Sequence, residues 1–289
     1  MVPSGGCVSR ETARIHRISE AKLMTKTVIV LGAGSGFGFA IARAFSEAGH
    51  HPILVARNAQ NLQTMTEQLH TEGLAADWIA ADATDPQQTA NLFMQVSRQF
   101  GHPQTLVYNV ANTTLDGPLT TPTSEIRQRF DTNVLGAITT SRQFLDLAPT
   151  DTPRNILFTG GGAAHHPDKT TTTLSLTKAA LRSYALSLAA EMAGTNTYVG
   201  LITIQGISGT SEAMLPANVA QVYVKAVKDR STTEIFYPGT TANSPSEFEQ
   251  LRKLTADPVK LHDFLVSHPR AKTFLENHPE FLESSGPSR

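Results

Sequence analysis

Cysteine and one-sided charge are what this chain of 289 residues has least of. Its one cysteine, Cys7, allows no intramolecular disulfide and no cysteine-built metal site, so a reducing, cytoplasmic setting is expected. The 24 basic and 25 acidic side chains nearly cancel, to a formal charge of −1, and leave no electrostatic footprint for nucleic acid or an anionic membrane. No run approaches the roughly twenty apolar residues needed to span a bilayer, and the opening segment lacks the apolar core of a secretory signal. Metal chemistry is also unsupported. His165, His166 and Asp168 are close in sequence, but no helical His-x-x-x-His pair or second ligand group accompanies them. These absences leave a small neutral or weakly charged molecule as the expected partner.

What is present is a regular alternation. From Thr27 onward, short β-branched runs alternate with longer helical patterns, as in repeated βαβ units around a parallel sheet. Strands are expected at Thr27–Leu31, Pro52–Ala56, Ala76–Ala80, Thr105–Tyr108, Arg154–Phe158, Tyr198–Ile204 and Glu234–Tyr237. Helices are expected at Gly38–Ala48, Ala59–Glu72, Asp85–Phe100, Ser124–Asp146 and Leu174–Ala193. The predicted fold class is α/β: a single Rossmann-like doubly wound parallel sheet of about seven strands, with helices on both faces. Three shorter helices, Ser244–Lys253, Asp257–Ser267 and Ala271–Asn277, form a tail that could be a lid, an interface or a surface cover. Residues 1–23 read as an irregular leader, with Met24 as the expected start. Residues 24–240 read as the nucleotide-binding domain and 241–289 as a helical extension.

The strongest motif is Gly32-Ala33-Gly34-Ser35-Gly36-Phe37-Gly38, set between a strand and a helix. Glycines permit a tight turn and close backbone approach, and the free N–H groups and positive end of the following helix attract a pyrophosphate. A dinucleotide is therefore expected on Gly32, Gly34, Ser35, Gly36, Phe37 and Gly38. After the second strand comes Ala56-Arg57-Asn58, where a NAD-specific site would place an acid. Arg57 favours a 2′-phosphate, so NADP(H) is the expected cofactor.

Residues 27–210 resemble the short-chain dehydrogenase/reductase family through several ordered matches. The glycine spacing is that family's cofactor turn, and Val55-Ala56-Arg57-Asn58 resembles its NADP-dependent second strand. Asp82, followed by Ala83, matches the acid directed at the adenine. Asn109 falls in the family's Asn-Asn-Ala-Gly segment. Asn133 matches the asparagine that helps hold a proton-relay water, and Lys178 the lysine that holds the nicotinamide ribose. Gly206 resembles the family's Pro-Gly turn, with Gln205 in place of the proline. The resemblance implies a homodimer or homotetramer, with the helix Leu174–Ala193 at a subunit contact.

Two departures bear on chemistry. The family's tyrosine, four residues before the lysine, is Leu174 here, and its serine falls on Gly161. A tyrosine displaced to seven residues before the lysine would fall on Thr171, whose alcohol is a far weaker acid. Proton delivery then needs another group, and Tyr108, at the carboxyl end of the fourth strand, and His165, beyond the fifth, are the candidates. Ser175, about 100° around the helix from Leu174, would be poorly aimed. Two readings follow. One is an NADP(H)-dependent oxidoreductase with an altered site, acting on a carbonyl, an alcohol or an activated alkene. The other is a non-catalytic NADP(H)-binding sensor or scaffold.

Overall fold

The apolar run Thr27–Leu31 forms strand β1, all five residues buried, as a parallel strand covered on both faces must be. A computed structural model describes residues 26–147, 151–239, 241–243, 254, 257–267 and 269–277. The leader 1–23 with Cys7, residue Met24 and the expected helix Ser244–Lys253 lie outside the described residues. Further strands are β2 (His51–Ala56), β3 (Asp77–Ala80), β4 (Thr105–Tyr108), β5 (Arg154–Gly161), β6 (Thr197–Ile204) and β7 (Glu234–Tyr237). They make one seven-stranded sheet in the order β3-β2-β1-β4-β5-β6-β7, every neighbouring pair parallel. The chain winds outward one way from β1 to β3 and the other way from β4 to β7. Between β1 and β4 lies the topological switch point, where such sheets bind ligands.

Helices cover both faces. On one, α1 (Phe37–Glu47) and α2 (Ala59–Thr71) pack with α7 (Pro216–Asp229) through Ile41, Phe45, Leu62 and Tyr223. On the other, α3 (Pro86–Phe100), α5 (Gly136–Leu147) and α6 (Thr172–Glu191) pack through Phe93, Phe144 and Leu181. Each such fully buried side chain contributes about 1.5–3 kcal/mol relative to exposure. Local signals start some of these helices. Asp85 caps α3 by accepting from the amides of Gln87 and Gln88, with Pro86 in the first turn.

The helix expected over Ser124–Asp146 is interrupted. It divides into α4 (Thr123–Phe130), a π-helical turn (Asp131–Leu135) and α5. In that turn the Gly136 amide reaches back to the Asp131 carbonyl, a wider loop of the kind that clusters at functional sites. Helix α7 has no counterpart in the sequence reading, although Pro216 in its first turn and the buried row Val219, Ala220, Tyr223 and Ala226 are ordinary helix signals. In the tail, α8 (Pro258–Ser267) and α9 (Pro269–Asn277) pack on each other and on Ile207, just beyond β6. That contact sets the two helices beside the β6 end of the sheet, against a residue that also lines the cavity described below. Among the described residues, no helix is long and apolar enough to cross a membrane.

Candidate active site

At the carboxyl ends of β1, β4, β5 and β6 the chain leaves an open cavity of about 1040 Å3. One end is the glycine turn. Gly32 follows β1 with φ +84°, a left-handed backbone where glycine avoids strain. A Cβ there would lie 2.7 Å from the Asn109 carbonyl carbon and the Val110 nitrogen, whereas a Cβ at Gly34 or Gly36 would meet nothing within 4 Å. At Gly38 a Cβ would collide with the Gly32 carbonyl oxygen, so the last glycine is what lets α1 sit against the turn. The turn is fixed by backbone bonds, with Gly32 and Ala33 donating to the Val55 carbonyl at 2.9 and 3.0 Å. Helix α1 begins with no side-chain cap and no acid in its first turn. Its positive end therefore faces open space, as a bound pyrophosphate requires.

The other sequence-read cofactor residues divide into two groups. Gly32, Gly34, Gly36, Phe37, Gly38, Asn109, Lys178 and Gly206 line the cavity. Ser35 is exposed, and Arg57, Asn58, Asp82 and Ala83 lie beyond the cavity, after β2 and β3 on the other side of β1 from β4. Arg57 is exposed and makes no ion pair among the described residues. Asn58 is already engaged, since its side-chain oxygen caps α2 through the Asn61 amide at 3.0 Å. Asp82 accepts from the Thr84 amide and hydroxyl at 2.9 and 2.8 Å, which holds the turn after β3.

Opposite the glycines stands Lys178, on α6. Its Nζ donates to the Thr159 carbonyl at 2.6 Å, and burial pulls the ammonium down from 10.5 to about 8. Thr159 is itself anchored: its hydroxyl donates to Asn109 Oδ1 at 2.9 Å and pairs with the Tyr223 hydroxyl at 2.6 Å. Asn109 completes the chain by donating from Nδ2 to the Gly32 carbonyl at 3.0 Å. One side-chain network thus ties the glycine turn to the lysine. Leu174, one helical turn before Lys178, is half-buried and lines the cavity, as do Thr171 and Gly161.

Asn133 lies in the π-helical turn and is buried. Its Oδ1 accepts from the Asn112 amide at 2.7 Å, and its Nδ2 donates to the Asn112 carbonyl at 3.1 Å and the Thr177 hydroxyl at 2.9 Å. Both Nδ2 hydrogens and one lone pair of Oδ1 of the side chain expected to help order a water are therefore engaged with protein. Asn133 pins the loop after β4 to α6. Sequence reasoning missed a second such pin. Asp116, also after β4, pairs with Arg129 at 3.0 Å, both side chains buried, and accepts from the Thr173 amide at 2.9 Å and the Thr173 hydroxyl. That carboxylate caps the start of α6 from 57 residues away, a distance at which no local cap motif shows.

The two groups read for proton delivery point elsewhere. Tyr108 is 1% exposed; its hydroxyl donates to the Thr132 carbonyl at 2.5 Å and fills the space left by Gly136, where a Cβ would collide with it. Burial first, then the Asp82 charge, pushes its pKa well above the ordinary tyrosine value. A strand-end aromatic here packs under the π-helical turn instead of facing the cavity. His165 turns towards β7, with Nε2 3.1 Å from Glu234 Oε1 and its ring 5.5 Å from that of Phe236. Glu234 draws it there, and also receives two bonds from Arg182 Nε and one from Nη2. Burial alone would raise the Glu234 pKa, but the hydrogen bonds from Arg182, His165 and Thr203 outweigh it and hold the carboxyl below its usual value. The neighbouring His166 does line the cavity. Its Nε2 donates to the Ala242 carbonyl at 2.7 Å.

This sheet order, with a glycine turn at the switch point, defines a doubly wound dinucleotide-binding fold. Residues 26–217 match the family model described as short chain dehydrogenase; the chain belongs to that family and is an oxidoreductase of its type. An uncharacterized oxidoreductase of Staphylococcus epidermidis is 28% identical over 225 residues, 74% of this chain and 96% of that protein. A short chain dehydrogenase of Pseudocercospora fijiensis is 26% identical over 276 residues, 93% of this chain and 84% of that protein. An uncharacterized oxidoreductase of Mycobacterium tuberculosis is 34% identical over 113 residues, 39% of this chain and 43% of that protein. Among solved structures, actinorhodin polyketide ketoreductase with NADPH is similar at TM-score 0.71 and 17% identity, over 77% of this chain and 99% of that one. A metagenomic short-chain oxidoreductase in complex with NADP is similar at TM-score 0.66 and 22% identity, over 74% and 97%. At these identities the likeness to solved structures is one of fold.

Proposed function

We propose that this protein is an NADP(H)-dependent oxidoreductase with an altered active site, acting on a small carbonyl, its alcohol or an activated alkene. The observation that carries the reading is that one open cavity runs from Gly34 and Gly36 to Lys178. The residues present fit a nicotinamide dinucleotide. Gly34 and Gly36 leave room for a pyrophosphate, the uncapped start of α1 faces it, and Arg57 stands exposed after β2 to take a 2′-phosphate. The NADPH and NADP named with the two similar structures support the choice of phosphate form. When bound, the cofactor supplies or accepts a hydride. Lys178 holds its ribose, and Thr159 and Asn109 hold Lys178. Leu174 and Gly161 provide neither a phenol nor a hydroxyl, and this is the alteration. The single cysteine supports a cytoplasmic protein, and the family resemblance supports a homodimer or homotetramer.

The test is a fluorescence titration of the protein with NADPH and with NADH, followed by turnover assays across small carbonyls. Markedly tighter NADPH binding with turnover upholds the reading, and failure of both cofactors to bind sinks it. The turning away of Tyr108 and His165 favours the second reading, a non-catalytic NADP(H) sensor or scaffold. Tight NADPH binding with no turnover across a broad carbonyl panel would select it.

A further inference from the structure

A carbonyl reduced by hydride needs a proton on its oxygen, and the cavity narrows the choice of donor. Among the residues lining it, the titratable side chains are Lys178 and His166. The Nε2–H of His166 is committed to the Ala242 carbonyl. The lining alcohols Thr113, Thr114, Thr159, Thr171 and Ser208 are too weakly acidic for the task. Lys178 is differently placed. An ammonium carries three N–H bonds; one goes to the Thr159 carbonyl, and the other two have no acceptor among the described residues.

The two departures in the site both enlarge this lysine's role. A Cβ at Gly161 would lie 3.7 to 3.8 Å from Cγ, Cδ and Cε of Lys178, so the lysine stem runs along the flank where a serine side chain would stand. Leu174, one turn earlier on α6 and also lining the cavity, carries no proton to give. Beside Lys178, β5 contributes the Thr159 carbonyl and Gly161, and His166, in the turn after β5, lines the same cavity. One helical turn further along α6, Arg182 is paired with Glu234 of β7, which also holds His165. Among the described residues, no carboxylate lines the cavity.

We propose that Lys178 is the proton donor of the reaction, its Nζ giving a proton directly to the oxygen of the substrate carbonyl. This deepens the oxidoreductase reading and rests on it. As the carbonyl carbon would take the hydride that a bound NADPH would supply, leaving NADP+, the C=O π pair would move onto oxygen. An N–H bond of Lys178 breaks and an O–H bond forms. The neutral amine then recovers a proton from water entering the open cavity. A lysine whose burial brings it to about 8 suits the role, because a general acid works best when its pKa lies near the working pH. Lys178 thus both holds the cofactor and protonates its product.

Three measurements test this. In the protein without cofactor, reductive methylation with 13C-formaldehyde and NMR across the neutral to alkaline range should show one lysine titrating near 8 and absent from Lys178→Arg. With NADPH and phenanthrenequinone, a diketone with no ionisable group, the parent's reduction rate should fall as pH rises through that same value. His166→Gln should keep this alkaline limb. Lys178→Arg, whose guanidinium stays charged but cannot release its proton, should still bind NADPH yet reduce the diketone about 10²–10⁴-fold more slowly. Leu174→Tyr serves where arginine does not fit: its phenol should move the limb away from the lysine value. Turnover with no alkaline limb, or full activity in Lys178→Arg, overturns the lysine and leaves the oxidoreductase reading standing. Absence of NADPH binding or of turnover in the parent overturns both.

Discussion

The two ends of the cavity are built in different ways. At the glycine turn the work is done by backbone: Gly32 and Ala33 donate to Val55, Gly34 folds back on Gly32, and α1 starts without a side-chain cap. At the lysine end it is done by side chains meeting across long stretches of sequence. Asp116 reaches Thr173 over 57 residues, Thr159 reaches Asn109 over 50 and Tyr223 over 64, and Arg182 reaches Glu234 over 52. A backbone cradle tolerates many neighbours but few substitutions within itself. A side-chain network can lose one member and keep its outline, provided no buried charge is stranded.

The contrast breaks most visibly at the buried carboxylate Asp116. Asp116→Ala leaves Arg129 with Glu125 and the Thr114 carbonyl but strips α6 of its distant cap, and should cost about 1–3 kcal/mol, read as a lower urea midpoint. At the other end, Gly38→Ala forces its methyl against the Gly32 carbonyl. It should cost about 1–3 kcal/mol and, unlike Asp116→Ala, weaken NADPH binding in proportion to the shift of the turn. Arg57→Ala tests the cradle's one exposed charge. Losing a charge-assisted bond worth about 1.5–3 kcal/mol should lower NADPH affinity about 10- to 100-fold and leave NADH affinity unchanged in fluorescence titration.

The pH responses of the lysine end should share one sign in two separate windows, one alkaline and one acid. Lys178 has a folded pKa below its unfolded one, so between about 8 and 10.5 the unfolded chain binds the extra proton and stability rises with pH. Lys178→Met should abolish that rise in urea denaturation series. Glu234 is also depressed, which for a carboxyl gives stability that is present above its unfolded pKa and lost as pH falls through the folded one. Glu234→Gln should flatten the acid side of the same series. This is the smallest expected effect, since Arg182 and His165 remain partly solvated.

Most of the fold was legible because it follows short-range rules. Each strand core was placed within a few residues, as at β1 and β4, because buried parallel strands read as continuous apolar runs. The Ser124–Asp146 pattern gave the helical path but not the π-helical turn at Asp131–Leu135. That turn coincides with two contacts that periodicity does not encode, Asn133 to Asn112 and the Tyr108 hydroxyl to Thr132. Tyr108 and His165 show the same limit at the site. Their positions at strand ends suggested the cavity, but χ angles and partners turned one under Gly136 and the other towards Glu234.

By itself, then, the sequence determined the sheet, the glycine turn at its switch point and the absence of a hydroxyl at Gly161 and Leu174, because residue type at a fixed spacing settles each of these. Only the tertiary structure decided which polar groups face the cavity. Many buried polar side chains take their hydrogen-bond partners from segments dozens of residues away, and that competition turned Tyr108 and His165 away from the cavity and left the buried Lys178 lining it.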